Sequence, residues 1–223
     1  MSQLLTGFDK PYAAFLFDMD GTILNSLAST ERVWGRWAER HGLNATEFLP
    51  TMHGSRAVDT IARLNLPGVS PEREAAAITE AEIDDVEGVV ALPGAAVFLR
   101  SLPVERWAIV TSSPLRLARR RLEAAGLPLP AVIVTAEDVA IGKPNPQCYI
   151  LGAERLGVRP SECLVFEDVR AGILAGEAAG ADVMVVTATQ HHEESYATHS
   201  TLPSYEGVKP ILFNDGRIGI SRS

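Results

Sequence analysis

The sequence predicts an α/β protein, a doubly wound parallel sheet with an inserted helical segment and a C-terminal β-hairpin. Three observations lead there. Five short apolar runs are spread along the chain, helical patterns of about ten residues separate the later ones, and one long stretch after the first run holds no strand-like segment.

The first run, Ala13 to Phe17, is apolar at every position, as a strand buried on both faces requires, and Asp18-Met19-Asp20-Gly21-Thr22 marks its exit from the sheet. The others are Trp107 to Val110, Ala131 to Val134, Cys163 to Phe166 and Asp182 to Val186. Between them, Leu115 to Ala125, Gln147 to Leu156 and Gly172 to Ala179 read as helices, closed by Gly126, Gly157 and Gly180, where a residue able to turn left-handed ends a helix. This alternation predicts right-handed crossovers between parallel strands. At the chain end, Lys209 to Phe213 and Arg217 to Ser221 flank Asn214-Asp215-Gly216, a hairpin turn signal.

Residues 25–92 are the predicted helical insert, which leaves 1–24 and 93–223 as the core. Ser26 is expected to N-cap a helix stopped by Gly42, with Val33, Trp34, Trp37 and Ala38 on its apolar side. A second helix is expected over Ser55 to Leu64, and Ser70-Pro71 opens a third. The two tryptophans are expected in the core of the insert. The insert carries more acidic than basic residues and no lysine, and Leu92-Pro93-Gly94 serves as its return linker.

The balance of 46% hydrophobic and 22% charged residues excludes a disordered or collagen-like chain. With 28 acidic against 20 basic residues, a net charge of -8 repels phosphate backbones and anionic lipid, so neither nucleic acid nor a membrane is an expected partner. Two cysteines, Cys148 and Cys163, outside any CxxC pattern exclude a disulfide scaffold and point to a reducing cytoplasm. The Ala13 to Phe17 run is too short for a secretory signal or a membrane span. A monomer or weak oligomer is expected.

Ligands of an open parallel sheet bind at the carboxyl ends of its strands. Asp18 and Asp20 follow the first run, Thr111-Ser112-Ser113 the second and Glu167-Asp168 the fourth, while the loop after the third holds Gly142-Lys143-Pro144. Two aspartates at i, i+2 offer a nucleophile and a proton shuttle. Glu167 and Asp168 add hard oxygen ligands that suit Mg²⁺. Lys143 and Thr111 supply charge and hydrogen bonds for phosphoryl oxygens. Ser112, His53 and Arg56 are the candidate substrate contacts. Arg119-Arg120-Arg121 reads as the solvated face of a helix, and His191-His192 with His199 as a loop.

The segments Asp18-Met19-Asp20-Gly21-Thr22-Ile23-Leu24, the strand ending in Thr111, Gly142-Lys143-Pro144 and Phe166-Glu167-Asp168 resemble, in order, the four motifs of the haloacid dehalogenase (HAD) superfamily. The resemblance covers essentially the whole chain. It implies a HAD-like Rossmannoid core, an aspartyl-phosphate formed on Asp18 and acid/base catalysis by Asp20. It further implies Mg²⁺ held by Asp18, the Asp20 carbonyl and Asp168, with Glu167 as a further candidate, and phosphoryl oxygens held by Thr111 and Lys143. The insert resembles the helical cap of the subfamily containing β-phosphoglucomutase and many sugar phosphatases. Glu31-Arg32, Trp34, Trp37, His41-Gly42 and His53-Gly54 with Arg56 resemble the bacterial sugar phosphatases and the glycerol-3-phosphatase and 2-deoxyglucose-6-phosphatase branch. Asn25 departs from the aspartate common in the family, and Val169 from its usual serine or alanine.

The resemblance therefore implies Mg²⁺-dependent hydrolysis of a small sugar or polyol phosphate. A phosphomutase and a non-enzymatic phospho-receiver are the alternatives. A mutase must also hold a second phosphate in its cap, which the net negative insert disfavours, and a receiver needs no lid.

Overall fold

The computed structural model describes residues 3–4, 11–189 and 199–222. The chain opens with strands β1 (Gln3–Leu4), β2 (Ala14–Phe17) and β3 (Leu24–Asn25). Four helices follow, α1 (Leu27–Arg40), α2 (Ala45–Phe48), α3 (Ala57–Leu64) and α4 (Pro71–Asp84), before β4 (Val90–Ala91). The rest alternates: α5 (Ala95–Ser101), β5 (Trp107–Val110), α6 (Leu115–Ala124), β6 (Val132–Val134), α7 (Gln147–Arg155), β7 (Cys163–Glu167), α8 (Arg170–Ala178) and β8 (Asp182–Val186). Strands β9 (Ser200–Leu202), β10 (Val208–Leu212) and β11 (Ile218–Arg222) close the chain.

Six strands form one parallel sheet in the order β6-β5-β2-β7-β8-β9, as the doubly wound α/β reading predicted. All five predicted strands lie in it. The sixth, β9, escapes a search for apolar runs because only Leu202 of its three residues is buried. The C-terminal hairpin is present as β10 and β11, paired antiparallel from Val208↔Arg222 to Leu212↔Ile218 and joined by β1 at its other edge.

Strand alternation divides the β2 side chains between two cores. Phe15 and Phe17 face α5, α6 and the hairpin, in a cluster where the Phe17 and Phe166 rings stack at 4.4 Å. Ala14 and Leu16 face α7 and α8, with Tyr149 and Ile173 among their neighbours. Helices α6, α7 and α8 end before Gly126, Gly157 and Gly180, as expected.

Helices α1 to α4 enclose a third cluster that includes Trp34, Trp37, Phe48, Ile61 and Ile78, so both tryptophans sit where their spacing predicted. Helix α4 begins at Pro71 with the Ser70 hydroxyl accepting from Arg73 N–H at 3.4 Å. Ser26 behaves differently from the expectation. It stands at the N-cap position of α1 but makes no side-chain cap; its hydroxyl instead donates to Asp20 Oδ1 at 2.7 Å. Strands β3 and β4 pair antiparallel, Leu24 with Ala91 and Asn25 with Val90, where the chain passes to and from these helices. Among the described residues no helix is long and apolar enough to cross a membrane.

Candidate active site

The central strand delivers the first carboxylate. Asp18 N–H continues the β2 ladder, donating to the Phe166 carbonyl at 3.0 Å, so its side chain emerges between β5 and β7. Lys143 reaches it from the loop after β6. Its Nζ donates to Asp18 Oδ1 at 2.7 Å, to Glu167 Oε1 at 2.6 Å and to the Val110 carbonyl at 3.1 Å, with the Tyr149 ring centroid 5.1 Å away. Burial alone would lower the ammonium's pKa, but Asp18 and Glu167 outweigh it and hold Lys143 above the ordinary lysine value.

Asp18, Glu167 and Asp168 are all buried, each with a ligand atom within 4.8 Å of the others. Burial, followed by repulsion from neighbouring carboxylates, raises Asp18 to about 8 despite the Lys143 ammonium, and pushes Asp168 well above the ordinary range. Three carboxylates against one ammonium leave the cluster short of positive charge. Hard oxygen donors with that deficit suit a divalent cation, so the residues fit Mg²⁺. Asp168 is held by the Thr22 hydroxyl, which donates to Oδ1 at 3.2 Å, and it lies against Gly21. A Cβ on Gly21, where φ is 89°, would stand 1.9 Å from Asp168 Oδ2, so only glycine leaves room for the carboxylate.

Asp20 lies apart from that cluster. Its Oδ1 accepts from Ser26 at 2.7 Å and from Arg121 Nη1 at 2.9 Å, and its Oδ2 from Ser113 at 3.1 Å. The expectation of a solvated Arg121 is therefore corrected: its side chain is 4% exposed, and Nη2 donates to Glu82 Oε1 and Thr30 Oγ1, both at 2.9 Å. The arginine run concealed this because α6 buries the face carrying Leu117, Ala118, Arg121 and Leu122. That face could have been found from the apolar residues at i−4, i−3 and i+1 from Arg121.

A cavity of about 820 Å³ lies over Asp18 and Asp20, between the carboxyl ends of the strands and helices α1, α3 and α4. Thr111, Ser112, His53 and Asp168 also line it, whereas Lys143 and Glu167 are packed beneath Asp18 and Arg56 is outside the lining. The Thr111 hydroxyl accepts from Ser113 N–H at 3.0 Å. The Ser112 hydroxyl donates to the Gly54 carbonyl at 2.9 Å. His53 is pushed below its ordinary pKa by burial, with Glu31 and Asp20 opposing.

Arg56, expected at the substrate, is committed elsewhere. Its guanidinium donates to Asp59 at 2.6 and 2.9 Å, to the Val139 carbonyl at 2.9 Å and to the Ala140 carbonyl at 3.1 Å, clamping the start of α3 to the loop ahead of Lys143. Val169 packs at the same seam, its Cγ2 only 2.4 Å from where a Gly54 Cβ would stand. Tyr149 is a residue that motif reading missed. Its hydroxyl donates to Glu167 Oε1 at 2.6 Å, and its place on the buried face of α7, next to Cys148, was the available signal. His199, at a bend just ahead of β9, bonds Glu177 Oε1 at 3.0 Å, while His191 and His192 lie outside the described residues.

Comparison with known proteins agrees with this geometry. Residues 12–180 match the family of haloacid dehalogenase-like hydrolases. Hexitol phosphatase A of Escherichia coli is 47% identical over 179 residues, which are 78% of this chain and 82% of that protein. Glycerol-1-phosphate phosphohydrolase 2 of Saccharomyces cerevisiae is 33% identical over 187 residues, covering 79% of this chain and 75% of the yeast protein. Among solved structures, a hydrolase from Pseudomonas syringae superposes with a TM-score of 0.72 at 25% identity, covering 86% of this chain and 94% of that one. Motifs, parallel sheet and relatives thus converge, and the chain belongs to the haloacid dehalogenase-like hydrolases as a phosphoric monoester hydrolase.

Proposed function

We propose that the protein hydrolyses the phosphate monoester of a small sugar or polyol through an aspartyl-phosphate on Asp18. The observation that carries this reading is Asp18, paired with Lys143 beneath it, in a cavity that Asp20 and residues of the helical insert also line. Relatives named for hexitol and glycerol-1-phosphate support the substrate class.

In the first step an Asp18 oxygen attacks phosphorus, the bond to the ester oxygen breaks, and Asp20 in its acid form gives that oxygen a proton. In the second, water attacks the aspartyl-phosphate, Asp20 takes the water proton, and Asp18 is released with inorganic phosphate. Lys143 and Thr111 hold the phosphoryl oxygens in both steps. Asp18, Asp168 and the Asp20 carbonyl would hold Mg²⁺, which supplies positive charge against the phosphoryl oxygens. Glu167, tied to Lys143 and Tyr149, orients the lysine.

Residues 25–92 act as a cap that excludes bulk water from the first step. Ser112 and His53, which both line the cavity, contact the substrate. Hydrolysis is favoured over mutase chemistry because Arg32 is paired with Asp85, Arg56 with Asp59 and two carbonyls, and Arg63, the one arginine of the insert that lines the cavity, donates to the Thr51 carbonyl. The buried, unpaired thiols of Cys148 and Cys163 fit a cytoplasmic setting.

The test is phosphate release across a panel of hexitol, glycerol, sugar and nucleotide phosphates. Best turnover on a sugar or polyol monophosphate, abolished in Asp18→Asn, is the expected result. Best turnover on a nucleotide, or on a sugar bisphosphate with transfer of the phosphoryl group to a second sugar, would overturn it.

A further inference from the structure

Arg121 is buried at a junction of three parts of the chain. One arm of its guanidinium, Nη1, reaches Asp20 Oδ1 at 2.9 Å and Ser113 Oγ at 3.3 Å, both on loops at the strand ends. The other, Nη2, reaches Thr30 Oγ1 on α1 and Glu82 Oε1 on α4, both at 2.9 Å. The planar fork cannot turn one arm without moving the other. Glu82 is itself buried, and it is held above the ordinary carboxylate range by burial against the opposing pull of Arg121. Glu82 has no bulk-water alternative to this cation, whereas Asp20, a quarter exposed toward the cavity, is held by Arg121 together with Ser26 and Ser113.

We propose that Arg121 is a positioning residue that makes the orientation of Asp20 depend on α1 and α4 being seated on the core. With these helices seated, Glu82 and Thr30 fix the far arm, and the near arm holds Asp20 with Oδ1 also bonded to Ser26 and Oδ2 to Ser113. With the helices lifted, the far arm loses both partners and the fork is free to rotate. Proton delivery to the leaving oxygen is thereby confined to the closed molecule, where the ester is shielded from water. This inference rests on Asp20 acting as the acid/base in the proposed reaction. It assigns Arg121 no contact with substrate, since Asp20 and Glu82 already share its charge.

The experiment compares kcat and KM of wild type, Arg121→Ala, Arg121→Lys, Glu82→Gln and the Arg121→Ala/Glu82→Gln double variant. Two substrates are used: a hexitol phosphate, whose alkoxide needs a proton to leave, and p-nitrophenyl phosphate, whose leaving group does not. Expected for Arg121→Ala is a kcat loss of about tenfold or more on the hexitol phosphate, a several-fold smaller loss on the aryl ester, and KM within about threefold. Arg121→Lys should recover part of the loss. Glu82→Gln should show the same leaving-group pattern, and the double variant should lose no more than Arg121→Ala alone, because the pair acts as a unit. Should Arg121→Ala not fold, Arg121→Lys, which keeps the charge but not the fork, and Glu82→Gln, which keeps the shape, carry the comparison.

Equal losses on both substrates, or a rise in KM at constant kcat, would overturn the positioning role alone and mark Arg121 as structural or as a substrate contact. Wild type inactive on both esters would overturn the phosphatase reading, and this inference with it.

Discussion

Glu167 lies beneath Lys143, its Oε1 2.6 Å from Nζ and fully buried. Glu167→Gln leaves the ammonium paired with Asp18 but weakens a charge-assisted hydrogen bond, so it should destabilise the protein by about 2 kcal/mol. Tyr149→Phe, which removes one hydrogen bond to the same oxygen, should cost about 1 kcal/mol. Urea unfolding of the three proteins checks both values, and a neutral Glu167→Gln would show that Lys143 does not depend on it.

Asp18→Asn keeps the shape of the side chain but neither its charge nor its nucleophilicity. Turnover should fall by several orders of magnitude while circular dichroism stays that of the folded protein. Asp20→Asn should lose more on a hexitol phosphate than on p-nitrophenyl phosphate. Near-normal phosphate release by Asp18→Asn would falsify the assignment of the nucleophile.

Chelation should stop turnover without unfolding the chain, because the carboxylate cluster sits at the ends of strands already secured by two cores. Added Mg²⁺ should restore activity, and Ca²⁺, with its longer and more variable coordination, should substitute poorly. Full activity in excess EDTA sinks this expectation.

Gly54→Ala places a Cβ at 2.4 Å from Val169 Cγ2 on a backbone with φ of 76°. The seam between the helical insert and the core must then open. The expected result is a drop of about tenfold in kcat/KM for the polyol phosphate with a smaller loss on p-nitrophenyl phosphate. Val169→Ala in the same background should recover part of it; parallel losses on both substrates would show that the seam has no bearing on substrate closure.

His53 is held below its ordinary pKa of 6.5, chiefly by burial. The unfolded chain therefore binds a proton that the folded one does not as pH falls through that ordinary value. Stability rises with pH across this window and is lost on acidification. His53→Gln should flatten this part of the pH–stability curve, measured by thermal unfolding between about pH 5 and 7.5. An unchanged slope would place the titration on other groups.

The sheet was legible because its strands are buried on both faces and so read as unbroken apolar runs, and the carboxylates follow directly from where those runs stop. The positions of Asp18 and Asp168 are a property of strand ends, hence visible, and Lys143 was found by the Gly142-Lys143-Pro144 motif in the loop after β6. What stayed hidden depends on contacts between segments far apart in sequence. Arg121 looks like its neighbours Arg119 and Arg120 until α4 brings Glu82 against it. Arg56 looks available until Val139 and Ala140 turn their carbonyls toward it. Strand β9 was missed because its pairing with β8, and not its composition, makes it a strand.

Leu24 faces Ala91 across the short ladder of β3 and β4, with Asn25 beside Val90. The chain thus departs from the sheet and rejoins it at adjoining positions. Everything spelled out between those two pairs is an excursion from one point, and its ends already stand at a spacing that a tight turn can bridge. Such a stretch can lengthen, shorten or be exchanged by recombination without displacing any strand of the parent sheet. Descendants of one ancestral gene could therefore inherit the carboxylate chemistry intact while each rewrote the roof above it.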